Sequence, residues 1–371
     1  MGLLRLLLAI SVLIGHSSPI AGLSPLGGEE AVETFFMISG FYMAMILHEK
    51  YTGKGSYKLF ISNRFLRIYP TYWCFLILAV AMWLLSPPAL RAMGPTRIYH
   101  MHFGWPALAL MHFSNLFLFG QDAVLFFTTN PAGHLQFTRD FLHSDPELSK
   151  LLFIPPAWSL SVELTFYLIA PFLMRKKSAT LALLIAIGLA LRIYMHQSLG
   201  LTNDPWTYRF FPTELPLFLA GALAYRAYRW IRLVNLPKSL DWTMLGLVLI
   251  AYFAYQFVGL NLRVKQWSFY TIALLALPFV FRATSKFKLD RAIGELSFPV
   301  YLSHAVVYEY LAFRGNGAGI HVLVASLGIS ILVTQILVRP MEKWRQSRVR
   351  AAHAPVHPAE PPAEPKLAIA A

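Results

Sequence analysis

Apolar residues in this chain gather into long, nearly uninterrupted stretches separated by short polar segments. Soluble strands and helices show instead an alternating or 3.6-residue periodicity. Ten stretches stand out: 2–19, 31–48, 66–86, 157–174, 178–198, 211–228, 241–260, 268–282, 295–313 and 319–338. As helices rising 1.5 Å per residue, they cross most or all of a hydrocarbon layer about 30 Å thick. The pattern therefore predicts an all-α fold, a polytopic membrane bundle of about ten transmembrane helices. A further apolar stretch, 105–119, is short and contains His112, Ser114 and Asn115. It is predicted as a re-entrant or interfacial helix inside a long external region, about 87–156, and connections of that length are usually functional. The transmembrane domain is expected over 1–340. Residues 341–371 are expected to be a basic and then Pro/Ala/Glu-rich cytoplasmic tail, disordered for want of core-forming residues. No internal repeat is visible, so a transporter built from inverted repeats gains no support.

Charge sets the orientation. Basic clusters follow alternate stretches: Lys50, Lys54, Lys58 and Arg64; Arg175, Lys176 and Lys177; Arg226, Arg229, Arg232 and Lys238; Arg282, Lys286, Lys288 and Arg291; then Arg339, Lys343, Arg345, Arg348 and Arg350. The positive-inside rule places all of them in the cytoplasm, with both termini there and a bacterial inner membrane as the expected location. Residues 1–20 resemble a signal peptide, but His16 interrupts the stretch and further spans follow at once, so it is read as a retained first span.

Composition narrows the function classes. Of 371 residues, 57% are hydrophobic and only 13% charged, about half the share a soluble domain carries. Mean hydropathy is +0.53. The net charge of +14 then belongs to membrane flanks, so the lipid bilayer is the expected partner and nucleic acid is not. A single cysteine, Cys74, excludes a disulfide framework and a Cys-rich metal site, and no metal is expected.

Ionisable groups inside a span cost several kcal/mol and are functional candidates by default. Arg5 and His16 are eleven residues apart, 20° past three helical turns, so they share a face with about 16 Å between them. Glu33, Met37 and Gly40 share another face; Gly40 permits close helix approach, and Ser39 can hydrogen-bond across helices. Arg64 and Arg67, one turn apart, suit bidentate phosphate recognition, although topological anchoring explains them too. Ser159, Glu163 and Tyr167 repeat every four residues as a polar stripe in an apolar span. Arg209, Glu214 and the Ser303–His304 pair are further candidates.

Arg5 and His16, FFMISGF (Phe35–Phe41), RFLRIYP (Arg64–Pro70), WSLSVE (Trp158–Glu163) and LSFPVYLSH (Leu296–His304) occur in that order. Together they resemble the membrane-bound acyltransferase-3 family, O-acyltransferases of cell-surface carbohydrates and related acceptors, over about residues 2–340. Glu33 stands where that family usually has Asp, and Leu164 where it often has a second acid. The resemblance implies an acyl-CoA donor, usually acetyl-CoA, and a carbohydrate or small-molecule hydroxyl acceptor, with polysaccharide-assembly proteins as partners. It implies His16 as catalytic base or acyl carrier, with Glu163 or Glu33 orienting His16 or an arginine. Arg5, Arg64 and Arg67 would hold the donor, and Ser159, Tyr167, Arg209, Glu214 and His304 are expected to bind substrate. The alternative reading is a transporter or flippase for a lipid-linked sugar or another amphiphile.

Overall fold

The computed structural model describes residues 1–53, 55–87 and 103–352. The main helices are α1 (Gly2–His16), α2 (Gly28–Glu49), α3 (Ser56–Leu84), α4 (Trp105–Phe117), α5 (Gln121–Val124), α6 (Trp158–Leu173) and α7 (Ser178–Gln197). They continue with α8 (Phe211–Ile231), α9 (Lys238–Ala254), α10 (Leu262–Thr284), α11 (Lys288–Phe313), α12 (Gly319–Val333) and α13 (Arg339–Ala352). The protein is thus an all-α polytopic bundle, and each of the ten predicted spans falls on a helix. Seven segments among the described residues are long and apolar enough by themselves to cross a membrane. α1 is a shorter apolar helix.

α2 and α8 pack closely along their length. A Cβ on Gly40 would collide with the Phe218 backbone carbonyl, and one on Gly221 with that of Met37. The two backbones touch because both crossing points lack a side chain, which is how helices associate without a hydrophobic drive from water. α1 lies along α11. The Gly2 and Leu3 amides donate to the Asp290 carboxylate at 2.8 and 2.9 Å, satisfying two of the amides that a helix start leaves open. From Gly2 to His16 is fourteen residues, as from Asp290 to His304, so the helices run parallel and in register for about 21 Å.

The long region between α3 and α6 has its own small core of Met111, Val124, Leu148, Leu151 and Leu152, apart from the main bundle. α4 lies beside α3, whose Tyr69, Tyr72 and Trp73 donate to the carbonyls of Phe117, Asn115 and Leu116 at 2.6, 2.5 and 2.8 Å. Trp105, Phe113 and Leu116 remain exposed, as suits an interfacial helix. A two-stranded antiparallel hairpin, β1 (Phe127–Thr129) and β2 (Leu135–Phe137), pairs Phe127 with Phe137. Residues 88–102 of this region lie outside the described residues.

α12 runs through a π-helical turn, Thr334–Val338, into α13. The basic stretch after residue 340, grouped with the tail from the sequence, is helical as far as Ala352. Arg348 ties it to α3 by donating to Asn63 and Ser62, both at 2.8 Å. The Pro/Ala/Glu-rich remainder, 353–371, lies outside the described residues.

Candidate active site

Arg5, Ala9, Val12 and His16 form one line along α1. Ala9 and Val12 on that line are 0% and 1% exposed, so the face carrying Arg5 and His16 points into the bundle. At its far end the His16 ring makes a 2.8 Å hydrogen bond from Nδ1 to the Val12 carbonyl. A carbonyl can only accept, so Nδ1 carries the proton and Nε2 keeps its lone pair. The imidazole is accessible, whereas His304 beside it is fully buried, with ring centroids 5.1 Å apart. Neither nitrogen of His304 has a well-formed hydrogen bond among the described residues.

Arg209 belongs to the segment before α8 and lies within electrostatic reach of His16. Its Nε and Nη2 donate to Asp204, each at 2.6 Å, and Nη2 also donates to the Tyr208 hydroxyl at 2.5 Å. The guanidinium carbon sits 4.4 Å from the centre of the Trp158 ring and 4.6 Å from that of Tyr208. Burial opposes its charge, but Tyr208 and Asp204 outweigh burial and hold Arg209 above the ordinary guanidinium value. Its Nη1 has no hydrogen-bond partner among the described residues.

The polar stripe of α6 joins this end of α1 to the other. Ser159 bonds to the Tyr301 hydroxyl at 2.6 Å, and Tyr301 packs against His304 at 5.9 Å. Further along α6, the Glu163 carboxylate accepts from Tyr167 at 2.5 Å and from Ser39 of α2. Arg5 is within electrostatic reach of Glu163, Tyr167, Tyr42 and Arg67. Arg64 faces Tyr167, its guanidinium carbon 5.8 Å from the ring centre, and is 6% exposed with its Nε unpaired.

α13 adds a fourth cation. Arg345 is 7% exposed, donates to Glu342 at 2.5 Å, and shares the field of Arg64 and Arg67. Arg5, Arg64, Arg67 and Arg345 thus face two carboxylates, Glu163 and Glu342, and neither Arg5, Arg64 nor Arg67 forms an ion pair among the described residues. A largely buried positive surplus of this kind is suited to an anion.

The structure does not bring every candidate together. Glu33, fully buried on α2, pairs with Arg192 of α7 at 2.6 Å, and Arg192 also approaches Glu214 at 3.9 Å. Around them, Tyr255 donates to Glu30 at 2.6 Å and Gln266 to Glu29 at 2.9 Å. Glu33 and Glu214 therefore belong to a second buried network, and no contact among the described residues links either to His16. The group that orients His16 is the Val12 carbonyl rather than a carboxylate. Sequence reasoning missed Arg192, Tyr301 and Arg345. Arg192 carried the clearest signal, as an arginine within an apolar stretch.

Fold and site together define a polytopic membrane protein whose polar centre runs from an accessible imidazole to a surplus of arginines. The chain belongs to the acyltransferase-3 family, whose model, described as an acyltransferase domain, matches residues 1–339. It is, on that basis, a membrane acyltransferase. An uncharacterized protein of Aquifex aeolicus (strain VF5) is similar to it, 26% identical over 212 residues that cover 53% of this chain and 91% of that protein. No solved structure matches.

Proposed function

We propose that the protein moves an acyl group, acetyl in the simplest case, from acyl-coenzyme A to a hydroxyl of a carbohydrate or related acceptor. The observation that carries this reading is the free Nε2 of His16, set on the same inward face as Arg5 of the arginine cluster. Coenzyme A bears several phosphate charges, and Arg5, Arg64, Arg67 and Arg345 offer planar donors for them. The charge pattern favours the cytoplasm for this end, and an acyl-coenzyme A donor is cytosolic.

In the transfer, Nε2 of His16 takes the proton of the acceptor hydroxyl as its oxygen attacks the thioester carbon. Collapse of the tetrahedral intermediate breaks the carbon–sulfur bond. The departing thiolate takes the proton from the imidazolium, leaving an ester and free coenzyme A. In an alternative order, Nε2 attacks the thioester carbon and the thiolate leaves; the hydroxyl then attacks the acyl-imidazolium, and its proton passes to the departing imidazole and on to the thiolate. Both orders use the same nitrogen. Arg209 stabilises the oxyanion through its free Nη1. Glu163, held by Ser39 and Tyr167, orients Arg5 rather than His16. An acceptor on the outer face fits the position of His16 at the end of α1 remote from the arginines.

Mass spectrometry of surface glycans from cells with and without the protein tests the acceptor class. The expected result is an ester mass lost with the protein and restored by its expression. Unchanged ester content across all surface glycans would remove carbohydrate as the acceptor.

A further inference from the structure

Away from the His16 line, the ends of α2, α6 and α8 border an open cavity of about 480 Å³. Ala44, His48, Met174 and Tyr225 line it, and Lys176, Arg226, Arg229 and Arg232 add positive charge. Arg226 is structural. It donates to the carbonyls of Met174 and Lys176 at 3.2 and 2.6 Å and to Ser178 at 2.8 Å, closing the end of α6. The nearby acid, Glu49, accepts from Tyr225 at 2.9 Å. Lys176, Arg229 and Arg232 form no ion pair among the described residues, so three cations remain unneutralised around one cavity.

The rim decides what chemistry fits. Trp230 and Leu233 line the cavity yet are 66% and 80% exposed, and Val234 beside them is 37% exposed. A phosphate alone would use the cations and make no contact with this apolar rim. An amphiphile with a phosphate head and hydrocarbon tails would use both. Basic pockets between transmembrane helices are suited to such headgroups, and an indole sits at the same depth. We propose that this cavity binds the headgroup of an anionic phospholipid, with its tails along Trp230, Leu233 and Val234. The site is separate from the arginines assigned to the donor, so it stands whether or not the transfer chemistry is right.

Native mass spectrometry of the delipidated full chain, titrated with phosphatidylglycerol or phosphatidylcholine, tests this. The expected result is one tightly held phosphatidylglycerol, preferred at least tenfold over phosphatidylcholine. The doubly substituted Arg229→Gln, Arg232→Gln protein should lose that preference by roughly tenfold to thirtyfold. Both side chains are exposed, and a thermal melt unchanged from the parent protein confirms that the fold is kept. Arg67→Gln, in the other cluster, should leave the preference intact. Equal binding of the two lipids would overturn the proposal, as would a preference that survives the double substitution. Adenosine 3′,5′-bisphosphate, the phosphate pattern of the coenzyme's nucleotide end, separates the other source. Displacement of the lipid by it in the parent protein but not in the double variant would assign the cavity to the donor instead, and so overturn the lipid assignment.

Discussion

The imidazoles of His16 and His304 lie 5.1 Å apart, tilted by 43°, yet one is accessible and the other has no exposed surface. The asymmetry follows from the parallel, in-register packing of α1 on α11. His16 ends its helix and keeps exposed surface, whereas His304 lies a further nine residues from the end of α11, among Val300, Val307 and Tyr301. One ring is accessible, and the other forms part of the wall it rests on.

That division can be measured. His304→Phe keeps a ring in the space and should hold the melting temperature near that of the parent protein. His304→Ala opens a cavity and should cost about 2–4 kcal/mol, with turnover falling because His16 loses the surface that limits its rotation. Thermal unfolding in detergent, run beside an activity assay, checks both. Equal stability of the two variants would show that the ring does not fill that space.

Arg345 should behave as a donor-site residue although it comes from the segment after the predicted domain. Arg345→Ala is expected to raise the acyl-CoA KM about tenfold to a hundredfold, the loss of one charge-assisted phosphate contact, with kcat changed much less. Steady-state kinetics at varied acyl-CoA separate the two parameters. A fall confined to kcat would place Arg345 outside the donor site.

Glu163 should act through charge. Glu163→Gln keeps an oxygen for Ser39 and Tyr167 but removes the anion facing Arg5, so donor KM should change while the fold survives. Tyr167→Phe removes only one hydrogen bond and should cost about 1 kcal/mol of stability. If Glu163→Gln instead leaves donor KM alone and lowers kcat, the carboxylate acts on the reacting atoms and not on Arg5.

Gly40→Ala tests the helix crossing. The added methyl meets the Phe218 carbonyl, a backbone atom that cannot swing aside, so α2 and α8 must separate. The expected outcome is a large drop in folded yield by size-exclusion fluorescence. Gly246→Ala on α9, where a Cβ meets nothing within 4 Å, is the control and should express normally.

The helices were legible because each apolar stretch is far longer than a buried soluble strand, and the solvent that selects them is uniform. Gly40 and Ser39 were legible for a related reason: in lipid, close approach and cross-helix hydrogen bonds need small or hydroxylic residues. The stripe Ser159, Glu163 and Tyr167 was visible as helical spacing, and its partners complete it at both ends. What pairs with what was not legible. Glu33 lies near the FF motif in sequence, but its partner, Arg192, arrives from a helix 159 residues away. Arg345 read as one basic residue among many in a tail, since only the continuation of α12 through the π-helical turn returns it to Arg64. Helical spacing reports faces, not which helices those faces meet.

On this mechanism the transfer depends on Nε2 of His16, a role open to measurement. It is tested most directly by acyl-CoA turnover in purified protein, comparing the parent chain with His16→Ala at saturating radiolabelled acetyl-CoA. Turnover, read as thioester hydrolysis or transfer to an added alcohol, should fall by about a hundredfold to ten-thousandfold while acetyl-CoA still binds with its normal affinity. Turnover equal to that of the parent chain, with the donor bound equally well, would contradict the claim.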